Sequence, residues 1–332
     1  MSTSILSSIQ NQLNFYGYLI PMVLGNVGNT FVVIIFTRHR TNACSIYLIS
    51  SAIVNNIYLT FTGCAQIFPF YYGDQTIRAF VLCKIRAYLP SILGLLTKTL
   101  IALACIDRFM ITNHRASLRA FSTPKKAKYV TFFCILFWPL FCIHIGIMTT
   151  IINSQCGQFG IYSTIFTVFI IIFVGLIPPI ILGLFGYLTY RNMRQRYVHV
   201  QPVVHNAINA NIAIRRRDRE LLIIVIYEIF FYVVTATPYP FILLEMMISR
   251  YIISNKSVQY SQIEGFILSI AFLLLYINFA APFYIYLISS KGFRRDFKKL
   301  IVNVYRKLRR QPIMPINTRT IQQTLTRENT RI

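Results

Sequence analysis

Long uncharged stretches alternate with short basic ones along the 332 residues of this chain. No charged side chain precedes Arg38, and Tyr16–Thr37 is one apolar run. Six more follow, at Ile46–Pro69, Cys83–Arg108, Tyr129–Ile152, Ile161–Tyr190, Leu221–Ile248 and Gly265–Ser290. At about 1.5 Å per residue, each is long enough as an α-helix to cross a hydrocarbon core ~30 Å thick. The pattern predicts an all-α membrane protein, a seven-transmembrane helix bundle. Beyond the last run, Lys291–Leu300 alternates basic and aromatic residues, the pattern of an amphipathic helix lying on a membrane surface. The expected organisation is an outer N-terminus (1–15), a transmembrane domain (16–290), an amphipathic basic helix (291–310) and a disordered, threonine-rich tail (311–332).

Composition agrees. Hydrophobic residues make up 55% of the chain and charged ones 13%, more apolar surface than a soluble fold of this length hides. The net charge of +24 is unevenly placed: 27 of the 33 Lys and Arg residues fall in the loops and tail on one side of the predicted bundle. The positive-inside rule then puts the N-terminus outside and the tail in the cytoplasm, facing anionic membrane lipids. A nucleic-acid partner is excluded, because the charges interleave with the spans instead of covering one soluble face. Asn255-Lys256-Ser257 is a glycosylation sequon in a predicted outer loop, so Asn255 is a candidate acceptor. No constellation for a zinc site, a catalytic nucleophile or a phosphate loop occurs, so neither catalysis nor a metal or other cofactor is expected.

Cys83 and Arg108 stand 25 residues apart, about 37 Å along one helix. A cysteine at one membrane face and Asp107-Arg108-Phe109 at the other resemble the third helix of the rhodopsin-like (class A) G-protein-coupled receptors. Further landmarks keep the same register: Asn29 after Gly28, Trp138 in the fourth span, Pro179 with Tyr187 eight residues on, and Tyr286 followed by Phe293. Glu220 precedes Pro240-Phe241 by 20 residues, as the family's inner acidic residue precedes its Pro-Phe pair. The resemblance implies a plasma-membrane receptor that binds an extracellular ligand and activates a heterotrimeric G protein. It implies a Cys83–Cys156 disulfide, with two free thiols as the alternative. It implies a switch at Asp107, Arg108, Phe109, Glu220, Tyr187 and Tyr286, hinges at Pro179, Pro240 and Pro282, and a polar core of Asn29, Asn55, Thr97, Lys98 and Asn278.

The chain also departs from the family. Asn55 stands where an acidic residue is usual, Thr237-Pro238-Tyr239-Pro240 replaces Cys-Trp-x-Pro, and Pro282-Phe283-Tyr284-Ile285-Tyr286 replaces Asn-Pro-x-x-Tyr. Pro90 occupies the position where amine receptors hold an aspartate, which argues against a monoamine ligand. At the outer mouth, Glu245, Glu264, Tyr88 and Arg86 are candidate ligand contacts, with Asp74 nearby, and a peptide ligand is expected.

Lys98 and Glu228 are charges inside spans that this register does not explain. Measured from Arg108 and Glu220 along their helices, they come within about 3 Å of one depth, although both sit ~80° around the helix from the inner pair. Two readings stay open. One is a direct contact between helices three and six; the other is separate satisfaction by water, a tyrosine hydroxyl or loss of the lysine charge. The same two charges motivate the alternatives of a channel or transporter, and the altered motifs leave room for a non-signalling decoy receptor.

Overall fold

The computed structural model describes residues 2–38, 40, 42–73, 79–198, 223–224, 226–253 and 256–308. Seven helices are long and apolar enough to cross a membrane: Ser8–Thr37, Ala43–Tyr71, Phe80–Thr112, Pro124–Met148, Ile161–Gln195, Ile226–Ile252 and Val258–Ala280. The protein is a multi-pass membrane protein built as a seven-helix bundle. The third span is its pillar, packed against the second, fourth and fifth, while the first touches the second and seventh. Large apolar side chains such as Phe132, Phe133, Leu140 and Phe230 point outward, as lipid-facing positions do in such a bundle. Water therefore does not drive the helices together, and close packing and interhelical hydrogen bonds matter more, the latter worth about 0.6 kcal/mol each on average.

Small residues set the close approaches. A Cβ on Gly25 of the first span would lie 2.6 Å from both Ala280 Cβ and Leu59 Cδ1, and 2.8 Å from the Ala280 backbone. Gly25→Val is therefore expected to push the first span away from the seventh, at a cost of about 1–3 kcal/mol as for other overpacked cores. Thermal unfolding of the purified protein measures it, and an unchanged transition would show that the helices separate freely.

Three spans differ from the sequence reading in ways that matter for the site. The first helix begins at Ser2, not near residue 16. No Gly or Pro interrupts the chain before Gly17, and Gln10 Nε2 donates to Ser269 Oγ on the seventh span at 2.9 Å. The fourth span ends at Met148, and Thr150–Ile152 is a strand (β1) instead of its last turn. It pairs antiparallel with β2, Gln155–Gly157, around a two-residue turn in which Asn153 and Ser154 have φ of 49° and 56°. Two successive positive φ values match the twist of a tight hairpin, and Asn is among the residues that tolerate them. The seventh span breaks at Ala281, before Pro282, and Pro282–Ser289 forms a separate short helix. Proline lacks the N–H that would bond Asn278 and crowds the turn before it.

The prolines act differently in each span. In the fifth, a π-helical turn, Ile171–Leu176, precedes Pro178 and Pro179. Pro178 frees the carbonyl of Val174, and the Tyr232 hydroxyl of the sixth span takes it up. At the next residue, Gly175 lets Pro240 approach: a Cβ there would meet the proline ring at 3.1 Å. The sixth span is interrupted at Thr237, ahead of Pro238 and Pro240. Of the expected hinges, Pro240 thus lies at a junction of spans five and six, where Pro178, next to Pro179, frees the carbonyl.

After Ser290 a helix runs from Lys291 to Leu308, within the expected 291–310 and beyond the basic-aromatic stretch Lys291–Leu300. Phe297, Leu300, Ile301 and Val304 recur at helical spacing opposite basic residues, an amphipathic pattern. The Asn255, Asp74 and Glu220 positions and the 311–332 tail lie outside the described residues.

Candidate functional site

Three groups of the expected residues come together at three depths of the bundle.

At one end, Cys83 and Cys156 form a disulfide with a Cα–Cα distance of 5.7 Å. It fastens β2 to the start of the third span, and Lys84 Nζ adds a bond to the Ile147 carbonyl at 3.2 Å. The four candidate ligand contacts lie nearby but are already engaged. Glu264 is buried and ion-paired with Lys256 at 2.7 Å, and it accepts from Ser249 at 2.8 Å. Tyr88 donates to the Pro139 carbonyl, Arg86 to Gln66, and Glu245 accepts from Tyr260 at 2.8 Å. Only Glu245 retains a buried carboxylate oxygen without a hydrogen bond among the described residues. Glu264 is thereby neutralised as an anchor for a basic ligand end.

At mid-depth lies the polar core, with Asn29, Asn55, Thr97, Lys98 and Asn278 all buried. Thr97 donates to Asn55 at 3.0 Å, linking spans three and two. Its neighbour Lys98 donates to Asn278 Oδ1, and Asn278 donates on to Thr235 at 2.9 Å, so one chain of bonds crosses spans three, seven and six. Asn29 reaches the Phe279 carbonyl at 3.0 Å and ties in the first span. The direct Lys98–Glu228 contact does not form. Glu228 instead accepts from the Tyr286 hydroxyl at 3.3 Å, while Lys98 faces the rings of Tyr232 and Phe279 at 4.7 and 4.4 Å. The tyrosine-hydroxyl alternative therefore holds for Glu228, and the two charges retain only a longer-range attraction.

No carboxylate stands among Asn55, Thr97, Asn278 and Pro282, and an ammonium already occupies the belt. A cation needs oxygen ligands and is helped by negative charge. The thermal stability of the purified protein is expected to be the same in sodium as in potassium or choline at equal ionic strength. A sodium-specific rise in the unfolding temperature would contradict this account.

At the far end, Arg108 is 2% exposed. Its Nη2 bonds Asp107 at 2.7 Å and Asn42, at the start of the second span, at 2.8 Å. Asp107 also accepts from Ser122, so the acid joins the arginine to the loop before the fourth span. Phe109 packs edge-on against Phe185 of the fifth span at 5.5 Å. Tyr286 is buried beside Phe36 and Phe293, whereas Tyr187 is 63% exposed and lies apart from the arginine cluster. Any contact of Arg108 with Glu220 lies outside the described residues.

Sequence reasoning missed Asn42, Ser122 and Thr235. Small polar side chains at helix starts and within spans carry no signal of which partner they meet. The Tyr232 hydroxyl also carries no signal by itself, but the Val174 carbonyl that Pro178 frees calls for such a donor.

No protein-family model matches this chain, and no curated protein matches it either.

Proposed function

We propose that the protein is a plasma-membrane receptor of the rhodopsin-like type, which binds an extracellular ligand at the disulfide end and activates a heterotrimeric G protein at the Arg108 end. One observation carries this reading: a buried arginine at the inner end of the central span, held by Asp107 and by Asn42 of a neighbouring helix. A buried guanidinium retained by a few charge-assisted bonds is a two-state element, which ligand binding elsewhere in the bundle can bias. The polar chain across spans three, seven and six, and the proline junction between five and six, supply the parts that would move. The tail side of this reading is cytoplasmic, where the basic helix meets anionic lipid.

The test is reconstitution. Purified protein in liposomes with heterotrimeric G proteins should accelerate nucleotide exchange above protein-free liposomes. Ion or solute flux without exchange would favour a channel or transporter, and ligand binding with neither would favour a decoy receptor. Lys98 and Glu228 motivate the transport reading, yet they form no direct pair with each other: Lys98 donates to Asn278 and Glu228 accepts from Tyr286.

A further inference from the structure

A cavity of about 80 Å³ lies among spans two, three, five, six and seven. Tyr58, Gly94, Phe166, Tyr239, Phe272 and Phe279 form much of its wall. On the third span its lining runs from Pro90 inward, and Lys98 is the innermost residue of that row. Lys98 is also the one charged group lining the cavity among the described residues.

Its ammonium is incompletely served. Lys98 is 5% exposed, donates to a single amide oxygen and otherwise faces two aromatic rings. Among the described residues no carboxylate lies within ion-pairing distance of it, since Glu228 is bonded to Tyr286. A charge at this depth of a membrane protein calls for a counter-charge or a strong acceptor.

We infer that this cavity binds a small apolar acid, a short aliphatic carboxylate, with its head on Lys98 and its chain against the aromatic wall. The volume seats a chain of three or four carbons: it is about half the ~150 Å³ of a cavity that takes up benzene, and well below the roughly 300–1,000 Å³ that hold whole drug-sized ligands. The sign of the site is set by Lys98: a cationic ligand would be repelled, and no acid in the lining offsets that. This changes the ligand class from the expected peptide with a basic end, whose acidic partner Glu264 is already paired with Lys256. A signalling role for the cavity rests on the receptor reading; binding does not. A carboxylate that draws the ammonium away from Asn278 would loosen the chain of bonds to Thr235, on the turn before the sixth-span break.

Thermal unfolding of the purified full-length protein in detergent tests the site, with butyrate, its neutral amide and butylamine as probes. The acid is expected to raise the unfolding temperature by about 2 °C when in large excess over its dissociation constant. The amine should give no shift, and the amide a smaller one than the acid. Lys98→Met removes the charge at similar length and should abolish the acid's effect. Should that variant not fold, Gly94→Val supplies the test, since a Cβ at residue 94 meets only Phe279 at 3.7 Å and Tyr58 at 3.9 Å. The valine should fold and fill the cavity, so the shift should again disappear. Equal shifts from acid and amine would overturn the proposal, as would no acid shift up to millimolar concentration. Retention of the acid shift in either folded variant would do the same. Lys98-dependent acid binding without nucleotide exchange would leave the site standing and remove the receptor reading. Exchange driven by a peptide, with no acid binding, would do the reverse.

Discussion

Replacing either Cys83 or Cys156 with Ala is expected to lower the unfolding temperature and the amount of protein reaching the cell surface, and replacing both should be no worse than replacing one. The bridge closes 73 residues of chain, a length at which a disulfide contributes about 2–4 kcal/mol by constraining the unfolded state. The lower end applies here, because membrane insertion alone already orders the third and fourth spans between the two cysteines. What the bridge adds is position: it clamps β2 onto the head of the third span, where the hairpin has eight residues from Thr150 to Gly157 and few other ties. Additive damage in the double variant would mean that each cysteine acts separately and that the bridge carries little. Ready alkylation of both thiols in folded, unreduced protein would dispose of the disulfide altogether.

The second large effect is at the other end. On the receptor reading proposed above, Arg108→Ala should abolish G-protein activation while leaving the protein folded and at the surface. Asp107→Asn should raise basal activation, because it weakens the charge-assisted bond that retains the guanidinium and disturbs the link to Ser122. Asn42→Ala should act in the same direction but more weakly, since a neutral amide holds the guanidinium less strongly than a carboxylate does. The coupling at stake is on the order of 1–3 kcal/mol, so basal exchange should rise about fivefold or more in Asp107→Asn. Equal basal rates in the parent and Asp107→Asn, at matched expression, would indicate an arginine that only anchors the helix end. Loss of surface protein in Arg108→Ala would point the same way.

Much of this molecule was legible in its sequence. Seven apolar runs of spanning length needed no tertiary information, because the cost of unbonded backbone in lipid leaves helices as the solution for such segments. The placement of Cys83, Asp107 and Arg108 on one helix follows from its rise per residue, and the prolines mark the breaks at Thr237 and Ala281. That Lys98 and Glu228 are charges inside spans was readable in the same way. Their failure to meet was not, because it depends on Asn278 and Tyr286 offering nearer partners. The hairpin at Thr150–Gly157 also escaped: Thr150–Ile152 is apolar enough to pass as the end of a helix, and only pairing with Gln155–Gly157 makes it a strand. Likewise the ligand contacts expected at the outer mouth are consumed by neighbours, while the cavity is lined by residues drawn from five helices. Hydropathy and helical rise act along one dimension and are written in the order of residues. Which polar group satisfies which, and what space remains between helices, is decided by rotation and packing in three.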